Sequence, residues 1–284
     1  MVVLVTGAGG QLGQSLQHIA GQFSAIEWVF CDSSTLDISS IESIESVFSE
    51  KQPQYCINAA AYTAVDKAES ESEKAHLING LGPENLAKVC AKYNTTLLHI
   101  STDFVFDGTQ STPYVETDET HPLGVYGATK LEGELAIQKY IQAHYIIRTS
   151  WVYSPFGNNF MKTMLRLANE REQLSIVNDQ IGTPTNALDL AQMLAELIGK
   201  DQHMQRPPYG VYHYSNEGQC SWFEFAQAIF EKNGIKIAVL PIPTAQFPTP
   251  AKRPAYSVMN KSKIKENFNV VIPDWRESLL ILKI

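Results

Sequence analysis

Val2-Val3-Leu4-Val5-Thr6-Gly7-Ala8-Gly9-Gly10-Gln11-Leu12-Gly13 is the stretch that decides the fold. Val2 to Val5 is an unbroken apolar, mostly β-branched run of the kind that fits a strand buried on both faces. The glycines end it, and Leu12, Leu16 and Ile19 then recur at helical spacing. A strand, a glycine turn and a helix in that order bring backbone N–H groups and a helix N-terminus together, which is a site for a pyrophosphate. Side chains at Gly7, Gly10 or Gly13 would block that approach, and Gln11 and Leu12 belong to the same turn. The G-x-x-G-x-x-G spacing differs from the G-x-G-x-x-G of many dinucleotide sites, and a simple turn is the competing reading.

Reading outward, Glu27 to Asp32 is a second strand with an acid at its end. An acid there hydrogen-bonds the ribose hydroxyls of NAD and repels the 2′-phosphate of NADP. The first basic residue of the chain is Lys51, so only Ser33, Ser34 and Thr35 are at hand to meet such a phosphate. NADPH or NADH therefore remains open, with NADH tolerance expected. Alternatively, Asp32 caps a turn. Asp37-Ile38 opens a third unit, with Ile38 placed near an adenine. Tyr55 to Asn58 is a further strand, and the small residues Ala59, Ala60 and Ala61 at its exit let the backbone lie against a cofactor. Glu73 to Tyr93 reads as one long helix, kinked at Gly82-Pro83, with Asn79 an oddity on its buried side. Leu97 to Ile100 and Tyr145 to Thr149 are two more strands, and Val211 to Asn216 returns to the large sheet.

This alternation indicates an α/β chain: a Rossmann-type, doubly wound parallel sheet with a smaller, discontinuous α/β substrate domain. The expected division is roughly residues 1–153 plus about 180–218 for the dinucleotide, and about 154–179 plus 219–284 for the substrate. In the second part, Ser221 with Glu224 three residues on reads as a capping box.

The chemistry is expected where Thr102 ends the strand after Leu97, and where Tyr126 and Lys130 lie four apart on a helix running through Leu131, Leu135 and Ile137. A phenol is a poor acid near neutrality, and an ammonium one turn away favours its phenolate. Thr102 then hydrogen-bonds a carbonyl oxygen while Tyr126 protonates it. On its own, Tyr-x-x-x-Lys also reads as a surface pair.

Composition sets limits. With 44% hydrophobic and 18% charged residues, the 284-residue chain reads as globular. A formal net charge of −8 without any basic cluster argues against nucleic acid. No run is apolar enough for a membrane span, and no secretory signal is visible at Met1, so a cytoplasmic setting is expected. Cys31, Cys56, Cys90 and Cys220 lack metal-site spacing and read as reduced, buried thiols.

Together, Gly7 to Gly13, Asn58 to Glu69, Ser101 to Gly108, Tyr126-Gly127-x-x-Lys130, Arg148 to Tyr153, Asp179 to Thr185 and Arg253-Pro254 resemble the extended short-chain dehydrogenase/reductase family over nearly the whole chain. Within it they are most similar to the branch acting on dTDP-sugars. The resemblance implies hydride transfer from NAD(P)H to the C4 ketone of dTDP-4-dehydro-6-deoxy-L-mannose, giving dTDP-L-rhamnose, with Lys130 on the nicotinamide ribose. It also implies that Val65, Asp103, Phe104 and Trp151 lie beside the sugar nucleotide, although Trp151 reads equally as interdomain core. Arg253 is either a diphosphate ligand, since a guanidinium binds phosphate bidentately, or a surface arginine next to proline. The alternatives are a reductase or epimerase on another nucleotide sugar, and a non-catalytic regulatory subunit of the same fold. A homodimer is possible within such a family. Some members are described as bridging a dimer with a metal through a carboxylate after the glycine turn; Gln14 and Ser15 stand here, and no metal is carried over.

Overall fold

A computed structural model describes residues 1–283. In chain order it begins β1 (Val2–Thr6), α1 (Gln11–Ile19), β2 (Glu27–Cys31), α2 (Ile41–Lys51), β3 (Tyr55–Asn58), α3 (Val65–Ala68), α4 (Ser72–His76), α5 (Gly82–Tyr93), β4 (Thr96–Thr102), α6 (Val125–Tyr140) and β5 (His144–Thr149). It continues with β6 (Val152–Tyr153), α7 (Phe160–Glu170), β7 (Gln173–Val177), β8 (Ile181–Gly182), β9 (Thr185–Asn186), α8 (Ala187–Asp201) and β10 (Gly210–His213). The last elements are β11 (Cys220–Ser221), α9 (Trp222–Lys232), β12 (Ala238–Ile242), α10 (Ser262–Phe268) and α11 (Trp275–Ile281).

Six strands form one sheet in the order β10-β5-β4-β3-β1-β2, and the chain reverses direction across it between β1 and β3. All its pairings are parallel. Carboxyl ends of β1, β3 and β4 therefore open on one edge, at the switch point where ligands of open α/β sheets bind. The buried runs Val3-Leu4-Val5 and Tyr55 to Asn58 follow from having helices on both faces. One core face joins Val3, Val5, Leu16, Ile57 and the apolar stripe of α8, and the opposite face joins Leu4, Ile44, Phe48, Cys56, Leu86 and Cys90. A third apolar cluster, around Tyr153, Met161, Phe225, Ile229 and Trp275, gathers α7, α9 and α11 with the parallel pair β7 and β12. Ser221 and Glu224 make the expected capping box at α9. All four cysteines are free and buried. Among the described residues no helix is long and apolar enough to cross a membrane.

Three local expectations change. Asp37-Ile38 opens no strand: Asp37 accepts from Ser39 N at 2.9 Å in an exposed turn before α2, and Ile38 is only 5% exposed, packed where a Cβ on Gly82 would lie 2.6 Å from its Cδ1. The long helix is α4 and α5 joined by a π-helical turn, Leu77–Leu81, with Pro83 in the first turn of α5 where its missing N–H costs nothing. Asn79 in that turn has a structural reason to be polar: its Oδ1 accepts from Tyr62 N at 2.9 Å and its Nδ2 donates to Tyr62 O at 3.0 Å, holding the chain just beyond β3. In α6, Leu135 points to solvent at 58% exposure, while Gly127, Thr129, Lys130, Gly133, Glu134 and Ile137 are buried. That helix lies so close to α5 that a Cβ on Gly133 would meet Pro83 Cγ at 3.1 Å, so its inner face is small and polar instead of apolar.

Candidate active site

A cleft of about 770 Å³ lies along the carboxyl edge of the sheet. Its walls bring together Gly9, Gly10, Gln11, Leu12, Ala59, Ala61, Val65, Thr102, Asp103, Phe104, Tyr126, Lys130, Trp151 and Arg253, residues spread from end to end of the chain. Two smaller clefts, of about 420 and 540 Å³, contain none of the candidate catalytic, cofactor or substrate residues. Gly7 and Gly13 stand behind the wall and shape it. Gly7 has φ +68°, and a Cβ there would lie 2.6 Å from the carbonyl carbon of Ala59; one on Gly13 would lie 2.6 Å from Ala8 Cα. Gly9 has open space where a side chain would project, and Gly10 starts α1 without any side-chain cap. The first-turn N–H groups are thereby left for a ligand.

Gln11 lines the cleft and also has a structural task. Its Oε1 accepts from Ser154 Oγ and Asn159 Nδ2, both at 2.9 Å, and its Nε2 donates to Val152 O at 3.3 Å, so it ties the glycine turn to the chain beyond β6. Ala60 is not part of the wall; its N–H is spent on Asn58 Oδ1 at 3.2 Å. Asp32, Asp37 and Ile38 also lie off the cleft wall. Asp32 sits just past Cys31, whose carbonyl accepts from Ala8 N at 3.1 Å beside the glycine turn. Its Oδ1 accepts from Ser34 N, Ser34 Oγ and Thr35 N at 2.9, 2.6 and 3.1 Å, which holds its carboxyl below the usual range. The turn-capping role is thus filled by this one oxygen.

The reactive groups meet where β4 ends and α6 begins. Glu69 holds the start of α6: its Oε1 accepts from Val125 N at 2.9 Å in the space a side chain on Gly124 would need. Tyr126 follows in the first turn, edge-on to Phe104 with ring centroids 5.5 Å apart. Thr102 Oγ1 accepts from Phe104 N at 3.2 Å and donates to Asp103 Oδ1 at 3.1 Å. The acidified phenol expected from the Tyr-Lys spacing is not what this geometry produces. Burial pushes the Tyr126 hydroxyl up to about 12, a hydrogen bond with Thr102 opposes the rise, and the Asp103 charge adds to it. Lys130 is instead the shifted partner: burial lowers its ammonium to about 8, against the pull of Glu134. Its Nζ donates to Ile100 O at 2.6 Å and lies 3.2 Å from His99 Nε2, turned toward the sheet. Burial is the largest influence on both groups.

Asp103 is 2% exposed, burial raises its carboxyl to about 6 against the opposing effect of the Ser257 and Thr102 hydroxyls, and among the described residues its Oδ2 has no hydrogen-bond partner. Arg253 lies on the wall and is already engaged: its guanidinium donates to Asp66 Oδ2 at 2.8 Å and to Ala251 O at 3.1 Å, and the pair holds Asp66 below its usual range. Trp151 has φ +47° and stacks on Trp222 at 3.5 Å between centroids, with its indole also close against Gly182. Trp222 and Phe160, both on the wall, were not expected from the sequence, because each carries the ordinary pattern of an amphipathic helix start. Behind the reacting edge, Glu134 accepts from Arg148 Nη2 at 2.7 Å and from Ser101 Oγ in a buried network.

Comparison with known proteins agrees with this arrangement. A family model described as the RmlD substrate binding domain matches residues 1–282. The chain is 44% identical to the dTDP-4-dehydrorhamnose reductase of Escherichia coli K12, covering 97% of this chain and 95% of that protein. It is 42% identical to the enzyme of that name from Aggregatibacter actinomycetemcomitans, over 98% and 96% of the two chains. A crystal structure of the dTDP-4-dehydrorhamnose reductase of Bacillus anthracis in complex with NADP superposes with a TM-score of 0.93 at 41% identity, covering 98% of this chain and 96% of the other. Matched along its length in both sequence and backbone, the chain belongs to the family described as the RmlD substrate binding domain.

Proposed function

We propose that this chain is an oxidoreductase that reduces the C4 ketone of dTDP-4-dehydro-6-deoxy-L-mannose with NAD(P)H, giving dTDP-L-rhamnose. The observation that carries the reading is one cleft in which Thr102, Tyr126 and Lys130 share walls with an uncapped helix N-terminus at one end and with Trp151, Trp222 and Arg253 at the other. The residues fit a dinucleotide. Gly9 and Gly10 leave room for a diphosphate, and Gly7 and Ala59 pack so tightly that nothing larger than glycine is accommodated under the turn. When bound, the nicotinamide supplies hydride.

The protein's own part is to orient and to protonate. Tyr126 keeps its proton at neutral pH and is therefore an acid ready to donate to the oxygen that gains charge. Thr102 Oγ1 swings from Asp103 to the same oxygen and stabilises it. Lys130 has N–H groups for a ribose hydroxyl beside its bond to Ile100 O. Arg253 turns its guanidinium from Asp66 toward a diphosphate, and Val65, Asp103, Phe104 and Trp151 border the sugar. The exposed turn Asp32 to Thr35 offers a carboxylate to a ribose and hydroxyls to a 2′-phosphate, so both NADH and NADPH are accepted. Residues 1–153 with about 180–218 form the dinucleotide half, and about 154–179 with 219–284 form the sugar-nucleotide half; β10 in the large sheet and α8 against α1 support that division.

Following NADH and NADPH oxidation with dTDP-, UDP- and GDP-linked 4-keto-6-deoxy sugars tests the reading. Stoichiometric consumption with the dTDP sugar supports it. Interconversion of sugars without net consumption would make the protein an epimerase, and no turnover with any of them would leave only a binding role.

A further inference from the structure

A chain of buried polar groups runs from β1 to Lys130 behind the cleft. Thr6 Oγ1 donates to Asn58 Oδ1 at 2.7 Å, Asn58 Nδ2 lies 2.9 Å from His99 Nδ1, and His99 Nε2 lies 3.2 Å from Lys130 Nζ. Thr6, Asn58 and His99 are fully buried, and Lys130 is 2% exposed. Such a chain has to satisfy every donor and acceptor in it, which restricts where the protons sit.

The backbone sets its direction. The N–H of Ala60 can only donate, and it lies 3.2 Å from Asn58 Oδ1, with Thr6 Oγ1 at 3.4 Å as its other neighbour. The atom of Asn58 facing Ala60 and Thr6 is therefore the oxygen, and the amide nitrogen must face His99. Its hydrogen needs an acceptor, so His99 Nδ1 is bare. A neutral imidazole has one N–H, and it falls on Nε2, pointing at Lys130. An ammonium has no lone pair to receive it; an amine does, and still donates to Ile100 O at 2.6 Å. The opposite arrangement would flip Asn58 and set its N–H against the N–H of Ala60, and an imidazolium would set N–H against N–H at Asn58.

We infer that Asn58 locks His99 in its Nε2–H tautomer and that this N–H, aimed at Lys130, disfavours the ammonium form of Lys130, making His99 a positioning residue of this site. The charged and titratable groups of this neighbourhood are His99 from β4, Tyr126 and Glu134 from the helix of Lys130 itself, Arg148 from β5 behind Glu134, and Asp103 from the turn after β4. Glu134 favours the ammonium, but it is already shared between Arg148 and Ser101. Burial acts in the direction of the inference: it lowers the titration of both His99 and Lys130. Lys130 then gives up its proton more readily than a surface lysine does, while Tyr126 keeps its own. This catalytic meaning rests on the reductase reading, whereas the tautomer itself does not.

Nuclear magnetic resonance of the full chain, labelled with ¹⁵N-histidine and ¹³C-lysine and without any nucleotide, reads both states; His99→Gln and Lys130→Met serve to assign the signals. The expected result is a His99 with a bare Nδ1 and a protonated Nε2 across neutral pH, and a Lys130 that loses its proton well before the surface lysines do. Asn58→Asp replaces the donor beside Nδ1 with an acceptor, and should move the hydrogen of His99 to Nδ1 and raise the titration of Lys130. An Nδ1–H tautomer in the parent, a Lys130 that titrates with the surface lysines, or a folded Asn58→Asp variant that keeps Nε2–H would each overturn the inference. A protein that shows the expected tautomer and yet reduces no nucleotide sugar would overturn only the reductase reading.

Discussion

Replacing Glu134 by Gln tests how the reacting edge is held. Glu134 is fully buried on α6, one turn beyond Lys130, and it accepts from Arg148 Nε at 3.0 and 3.2 Å, from Arg148 Nη2 at 2.7 Å and from Ser101 Oγ. Arg148 is 4% exposed, its Nη1 has no partner among the described residues, and its guanidinium lies 5.1 Å over the Phe106 ring. Glutamine keeps the shape, but it removes the only carboxylate paired with that cation among the described residues and puts an NH₂ where an acceptor stood. Breaking one side of a buried pair costs about 3–5 kcal/mol, because the other charge stays desolvated and unpaired. At roughly 2–3 °C per kcal/mol for a chain of this size, the melting temperature should fall by roughly 6–15 °C. Urea unfolding followed by far-ultraviolet circular dichroism gives the free-energy loss. The double variant Glu134→Leu, Arg148→Met removes both charges, and should recover most of it. A Glu134→Gln protein within about 0.5 kcal/mol of the parent, or a double variant no better than the single one, would refute the reasoning.

Other consequences follow from the same geometry. Tyr126→Phe should leave NAD(P)H affinity nearly intact while turnover falls by roughly 10²–10⁴, and unchanged turnover would remove Tyr126 from the mechanism. The folded state raises the Asp103 carboxyl from 3.8 to about 6 and so favours its protonated form. That contribution to stability is complete below the unfolded value and is lost as pH rises through about 6, so between acidic and mildly alkaline pH the parent should lose on the order of 3 kcal/mol relative to Asp103→Asn. Parallel stability curves for the two proteins would contradict this. Gly7→Ala puts a Cβ 2.6 Å from Ala59 at φ +68°, and should destabilise by roughly 2–4 kcal/mol and weaken NAD(P)H binding measured by fluorescence titration. A stable variant with parental affinity would show that the turn does not need its glycine.

What could be read from the chain alone was local. The apolar run Val2 to Val5, the glycines after it and the helical spacing of Leu12, Leu16 and Ile19 declare a strand, turn and helix within a few residues of one another. Ser221 and Glu224 likewise declare a cap, because both partners lie in one turn. Tyr126 and Lys130 could be placed on one face for the same reason. Even there the spacing misled on energy: it showed the two groups on one face but not the burial that raises the phenol.

The sequence by itself determined the order of strands and helices, the position of the glycine turn and the identity of the candidate reactive side chains, since periodicity and close spacing are written along the chain. Only the tertiary structure decided that Glu69 starts α6, that Asn79 clamps Tyr62, that Gln11 ties the turn to Ser154 and Asn159, and that Trp222 stacks on Trp151. It also decided the protonation of Tyr126, Lys130 and Asp103. These depend on partners distant in sequence and on how much water the fold removes, and neither quantity exists until the chain has closed on itself.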